Sequence, residues 1–390
     1  MCGIPVIQHK SACTTPTFPP FFSTAAQEMK LLRNYTTKLS ITAILLLLLQ
    51  YVSLTNALPN QKQAPIMAIV VEPFAWNPPE CVSVWGRASP IQITPGGGSS
   101  TSPSSLRNTT VQAGCVWSIY VDWLEASGIR VIPLPWNAPT ARMDYILDRV
   151  NGVLFPGGII QGDAPVTDAY FATVQYIFNR AVAKYFMEDH DGFVVWGTCQ
   201  GFELLNAAAA GTMNVVESGF VGTDPSMLPV TFLPSADDND GDRLYRGLDA
   251  PLREALTTTN STLNWHSKGV SPMAYNSTQY RDTLGALLQP LTVSYDATGR
   301  SFVSSLQGIN DTIRVFATQF HPERPPYEFD NDVIGHDAST IGISQFLSLQ
   351  LRKWLSESNH TFENATEANE LMIETYNRVN QGWGVQVYFI

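Results

Sequence analysis

The 390-residue sequence predicts an α/β fold, doubly wound around a mostly parallel central sheet with helices on both faces. Three features predict it. Runs of apolar, often β-branched residues recur at 65–72, 130–134, 152–155, 193–196 and 313–320, and such near-continuous runs suit strands buried on both faces. Stretches with helical spacing of apolar residues separate most of them, the pattern of strand–helix–strand crossovers. Glycine, cysteine and histidine follow the runs at Gly157-Gly158, Cys199 and His321. That is where sites of such sheets collect, at the carboxyl ends of strands.

The elements follow in order. Residues 1–57 are not fold. An apolar run at 41–54 is preceded by Lys30, Arg33 and Lys38 and followed by the small-residue exit Thr55-Asn56-Ala57, which describes a secretory signal. Met29 is a second candidate start, and an uncleaved anchor is the alternative. Residues 58–390 read as a single domain. Its first buried strand is 65–72. A Gly/Ser/Pro-rich stretch at about 86–112 reads as a flexible insertion within that domain. Residues 115–127 have helical spacing, with Val116, Ile119, Tyr120, Trp123 and Leu124 on one face and Gly128 as the stop. The strand at 130–134, a short helix at 143–150 and the strand at 152–155 come next. A long helix at 168–186 precedes the strand at 193–196. Residues 213–310 show short β-like runs at 229–232, 291–295 and 302–306, then comes the strong strand 313–320. Helices at 344–357 and 366–380 close the chain.

Composition narrows the function classes. A net charge of −11 argues against nucleic acid or an anionic membrane surface as the main partner. Six N-x-S/T sequons follow the signal, at Asn108, Asn260, Asn276, Asn310, Asn359 and Asn364, and favour a glycosylated lumenal or extracellular protein. The expected location is the secretory pathway, ending in a lysosome or vacuole or outside the cell. After signal cleavage no stable membrane span is expected. The mature cysteines are Cys81, Cys115 and Cys199. In an oxidising compartment they read as a Cys81–Cys115 disulfide and one free thiol, Cys199, with three reduced thiols as the alternative.

The stretch Val194-Val195-Trp196-Gly197-Thr198-Cys199-Gln200-Gly201 joins a buried strand to a helix through a tight turn. That is the geometry of a nucleophile elbow, and a helix N-terminus beside the sulfur favours the thiolate. A thiol nucleophile needs a base and an orienting group for it. Of six histidines, His9 precedes the signal, His360 follows a sequon asparagine, and His190 lies in an acidic loop. His336 reads as a loop residue, and His266 sits in an irregular region. His321 stands at a strand end in Phe320-His321-Pro322-Glu323, where Glu323 can reach back to the imidazole.

These segments resemble the class I glutamine amidotransferase-like superfamily, whose fold is flavodoxin-like, and within it the gamma-glutamyl hydrolase family. The resemblance runs in order through Tyr120-Val121-Asp122-Trp123-Leu124-Glu125, Asn151 to Gly158, the elbow, Asn264-Trp265-His266, and Gln319 to Glu323 with Pro326-Tyr327-Glu328. It implies Cys199 as nucleophile, His321 as base and acid, and Glu323 as its orienter. It implies backbone donors at Gly158 and Gln200 for the oxyanion, with His266, Gly157 and Tyr120 contacting substrate. The implied substrate is a small molecule, folylpoly-γ-glutamate, cut through a thioester acyl-enzyme, with neither metal nor cofactor. A homodimer is the oligomer carried with it. Gln200 stands where family members often have Leu, and Ser267-Lys268 where they usually have Lys-Trp. A glutaminase domain feeding a synthase is one alternative, but Glu203 replaces the Gln those elbows usually carry. A catalytically inactive, glycosylated binding protein on the same fold is the other.

Overall fold

The first strand, β1 (Ile66–Pro73), is apolar from Ile66 to Val71 and divides its side chains between two cores. Ala68 and Val70 enter one cluster, while Met67, Ile69 and Val71 enter the other. That alternation is what a strand with helices on both faces requires. The computed structural model of the chain describes residues 64–73, 114–158, 164–187, 190–234, 242–380 and 386–390. The signal segment 1–57, the insertion 86–112, Cys81 and Asn108 lie outside the described residues.

After β1 come β2 (Gly114–Trp117), α1 (Ser118–Ala126), β3 (Arg130–Pro135), α2 (Thr140–Leu147), β4 (Gly152–Phe155), α3 (Ala164–Tyr185), β5 (Val194–Thr198) and α4 (Gln200–Ala210). The second half contributes β6 (Leu288–Tyr295), β7 (Ser301–Gly308), β8 (Val315–Thr318) and α5 (Ala338–Leu355). All these strands join one 11-stranded sheet. Its centre is parallel: β1 pairs with β3 and β4, β4 with β5, and β5 with β8. Both flanks are antiparallel. On one side β8 pairs with β7, β7 with β6, and β6 with Thr231–Phe232. On the other β2 pairs with β1 and with Gln386–Phe389, which pairs with Arg378–Asn380. The parallel character read from the sequence thus belongs to the centre of a mixed sheet. Residues of α2, α3 and α4 pack on one face with Val153, Phe155 and Val195. Residues of α1 and α5 pack on the other with Leu154, Val194 and Trp196. Gln63–Ile390 forms one compact unit.

Several sequence expectations are corrected at element ends. Cys115 to Trp117 are strand, not helix, because Cys115 faces Glu72 of β1 and Trp117 faces Val387. Sheet pairing on both edges overrides their helical spacing. The helix placed at 143–150 runs instead over Thr140–Leu147. The terminal helix placed at 366–380 stops at Leu371, and Arg378–Asn380 is strand. Helix α5 starts earlier than its apolar spacing suggests, because Asp337 caps it by accepting from the Ser339 and Thr340 N–H groups.

Candidate active site

The ends of β5, β4 and β8 meet at one edge of the sheet. Register pairs Phe155 with Gly197 and Thr198 with Thr318, so the residues after these strands converge. Cys199 occupies the turn between β5 and α4 with φ 51° and ψ −106°, the one non-glycine residue with positive φ among those described. A non-glycine residue held there costs on the order of 1–3 kcal/mol and persists only if its surroundings enforce it. Three backbone bonds do so. The Cys199 N–H donates to Thr318 O (2.8 Å), Glu203 N–H to Cys199 O (3.0 Å) and Gly201 N–H to Pro156 O (3.0 Å). Gly201 is required by close approach: a Cβ there would lie 2.0 Å from the Phe155 carbonyl oxygen.

His321 follows β8, and its N–H donates to Leu263 O at 2.8 Å. Its Nδ1 is 2.6 Å from Glu323 Oε1, and both residues are buried. That contact fixes the ring and leaves Nε2 facing away from Glu323. Gly157 joins the imidazole to the thiol. A Cβ built on it would lie 2.7 Å from His321 Cε1, 2.8 Å from the Tyr120 hydroxyl and 3.1 Å from Cys199 Cβ. Cys199, His321, Glu323, Gly157 and Tyr120 are therefore brought together. Gly158 and Gln200 adjoin them, with Gln200 Oε1 2.6 Å from the Cβ position of Gly158. The Gly157 N–H donates to the Tyr120 hydroxyl oxygen at 2.7 Å, so Gly157 is already engaged and Tyr120 buttresses the loop.

The resting thiol differs from expectation. Burial, then the Glu203 and Glu323 carboxylates, push Cys199 well above the usual thiol range, against the opposing pull of Arg324 and the Gln200 N–H. The Sγ donates to Trp265 O at 3.7 Å. A helix N-terminus contributes only about 0.3–2 kcal/mol and does not outweigh desolvation plus two acidic neighbours. Cys199 is thus a neutral thiol at rest.

His266 is buried, with Nδ1 2.6 Å from Lys268 O and Nε2 3.1 Å from Asn264 Oδ1. Burial lowers it to about 4, and His321 adds to the lowering. Both ring nitrogens meet protein groups, so the structure shows a ring fixed by its own chain beside His321. Arg324, next to the histidine loop, bonds both Glu328 oxygens (2.8 and 2.6 Å) and lies between the Trp117 and Trp265 rings, 5.0 and 4.8 Å from their centroids.

Sequence reasoning gave Glu203 no role beyond telling elbows apart. It is buried one helical turn from Cys199, accepts from Gln319 Nε2 at 3.2 Å, and is pushed by burial to about 7. Trp117 and Trp265 were missed because no spacing marks an aromatic pair around an arginine. Glu72 was read only as the end of a strand, although it is the one charged residue of that apolar run. Cys199 is free, whereas Cys115 is disulfide-bonded. Asn260, Asn276, Asn310, Asn359 and Asn364 are all exposed. Among the described residues, no helix is long and apolar enough to cross a membrane.

The Peptidase C26 family model matches residues 99–223. The chain is 29% identical to gamma-glutamyl hydrolase of Mus musculus over 265 residues, covering 67% of this chain and 78% of the mouse protein. It is 26% identical to the Homo sapiens protein of that name, again over 67% and 78%. Identity to gamma-glutamyl hydrolase 1 of Arabidopsis thaliana is 30%, over 61% of this chain and 65% of the plant protein. A solved glutaminase domain, from Trypanosoma brucei CTPS with bound acivicin, superposes with a TM-score of 0.41 at 12% identity, covering 76% of this chain and 96% of that one.

Proposed function

We infer that this chain is a gamma-glutamyl hydrolase, an enzyme with a cysteine nucleophile in the glutamine amidotransferase-like superfamily. Cys199 is that nucleophile, His321 its base and acid, and Glu323 the group that orients the imidazole. The observation that carries this reading is the 2.6 Å His321–Glu323 contact beside a cysteine held at positive φ.

The steps follow from the site. His321 Nε2 takes the thiol proton as Sγ attacks the γ-carbonyl, because a buried neutral thiol is a weak nucleophile until it is deprotonated. The N–H groups of Gly158 and Gln200 receive the developing oxyanion. Gly157 is a less suitable donor because its N–H is engaged by Tyr120. His321 then protonates the departing amine, leaving a thioester on Cys199. Water, deprotonated by His321, attacks the thioester and releases the γ-carboxylate and the thiol. Glu323 stabilises the imidazolium formed in each half.

The substrate class is folylpoly-γ-glutamate. Residues 58–390 are the catalytic domain of a chain that enters the secretory pathway, carries glycans on the sequon asparagines, and closes a Cys81–Cys115 disulfide. His266 reaches substrate only after exchanging a protein hydrogen bond. Pteroyl-γ-glutamate oligomers incubated with the purified protein should yield a ladder of shortened products by mass spectrometry, lost after thiol alkylation. Hydrolysis of free glutamine with the γ-linked chains intact would select the glutaminase reading instead.

A further inference from the structure

Glu72 closes β1 at the same edge of the sheet as Cys199, and it is buried to 1% exposure. Its carboxyl reaches the residue assigned above as an oxyanion donor. A Cβ built on Gly158 would lie 2.0 Å from Glu72 Oε1 and 2.7 Å from Glu72 Cδ. The space a side chain at 158 would fill is thus occupied by a carboxyl group belonging to another strand. Gln200 Oε1 is 2.6 Å from that same point. A carboxyl and a carboxamide therefore meet at Gly158, the residue that carries one of the two backbone groups assigned to the oxyanion.

We propose that Glu72 is a positioning residue for the oxyanion loop, acting through Gly158 and Gln200. This rests on the reading of those two residues as oxyanion donors. Its physical content is steric and electrostatic. The carboxyl sets how closely the loop can approach β1, and so where the Gly158 N–H points. An ionised carboxylate there would place a fixed negative charge close to the Gly158 N–H, opposing the transition state in which the substrate oxygen becomes negative. A neutral carboxylic acid fills the same volume, carries no such charge, and can donate its proton.

The surroundings favour the neutral form. Burial pushes Glu72 up to about 8. From α3, Tyr170 faces it; burial and then the charge of Glu72 push that hydroxyl well above its usual range. From β2, the residue opposite is disulfide-bonded Cys115. The β3 pairing ends at Pro135, opposite Val71. The Gln200 side chain carries no charge.

The test is the pH profile of kcat and KM, from pH 5 to 9.5, on a pteroyl-γ-glutamate substrate for wild type, Glu72→Gln and Glu72→Ala. Wild type should show an alkaline fall in kcat with a midpoint near 8. Glu72→Gln, isosteric but unable to ionise, should keep kcat at pH 6 within about threefold and lose that fall. Glu72→Ala should lower kcat tenfold or more with KM nearly unchanged. A Glu72→Gln profile that falls with the wild-type midpoint overturns the proposal, as does Glu72→Ala at wild-type kcat. If Glu72→Ala does not fold, the Glu72→Gln profile decides. Wild type active on the substrate but with no effect of Glu72→Gln rejects this inference alone. Wild type inactive on every γ-glutamyl substrate rejects the functional reading and this inference with it.

Discussion

Replacing Glu203 by Gln should raise stability at alkaline pH and leave it nearly unchanged at acid pH. Glu203 is buried, and its folded-state value is pushed from 4.5 to about 7. Below pH 4.5 the carboxyl is protonated in both folded and unfolded chains and contributes no slope. Between 4.5 and 7 the folded protein keeps a proton that the unfolded chain has released, so stability falls as pH rises. Above 7 both forms are ionised and the loss is complete. A shift of this size corresponds to about 3 kcal/mol at roughly 1.4 kcal/mol per pH unit. Gln keeps an oxygen to accept from Gln319 and removes the titration. Urea unfolding of both proteins at pH 4.5, 6 and 8.5 measures the effect. The stability of Glu203→Gln minus that of wild type should grow by about 3 kcal/mol across that range. A difference constant with pH would refute the reasoning. The same variant tests the thiol: above pH 7 the ionised Glu203 helps hold Cys199 protonated, so Glu203→Gln should be alkylated faster at pH 8 and at the wild-type rate at pH 5.

Two further outcomes follow from the site. Tyr120→Phe removes the acceptor of the buried Gly157 N–H, a loss of about 1–3 kcal/mol. Steady-state kinetics should show kcat falling about tenfold or more with KM little changed, and an unchanged kcat would mean that the hydroxyl does not hold the loop. Gly201→Ala forces a Cβ to 2.0 Å from the Phe155 carbonyl oxygen, where backbone must move on both sides. A stability loss of about 1–3 kcal/mol or more by urea unfolding is expected, together with loss of activity, and a wild-type midpoint would contradict the packing described.

Much of this architecture was legible because the central strands are apolar on both faces. The runs containing β1, β3, β4, β5 and β8 declare themselves without regard to period, and the residues after β4, β5 and β8 are the ones that converge at one edge of the sheet. Elements at the sheet flanks were harder. Cys115 to Trp117 have helical spacing yet become strand, and only their partners at Glu72 and Val387 decide it. Arg378–Asn380 was hidden for the same reason, since its partner strand is what makes it a strand. The proximity of Cys199, His321 and Glu323 was legible because each lies in a short motif. The protonation state of Cys199 was not, because it depends on Glu203 and Glu323 brought near by folding. Nor was the contact of Glu72 with the Gly158 loop, which joins residues far apart in sequence.

In the proposed reaction Cys199 forms a thioester with the γ-carbonyl of its substrate. Acid quenching during turnover of a pteroyl-γ-glutamate oligomer, followed by mass spectrometry of the peptide containing Cys199, tests it most directly. A peptide heavier by the acyl group is expected, absent from Cys199→Ala, with the mass disappearing as product forms. Turnover at the wild-type rate in Cys199→Ala, or an acyl group found on another residue, would contradict it.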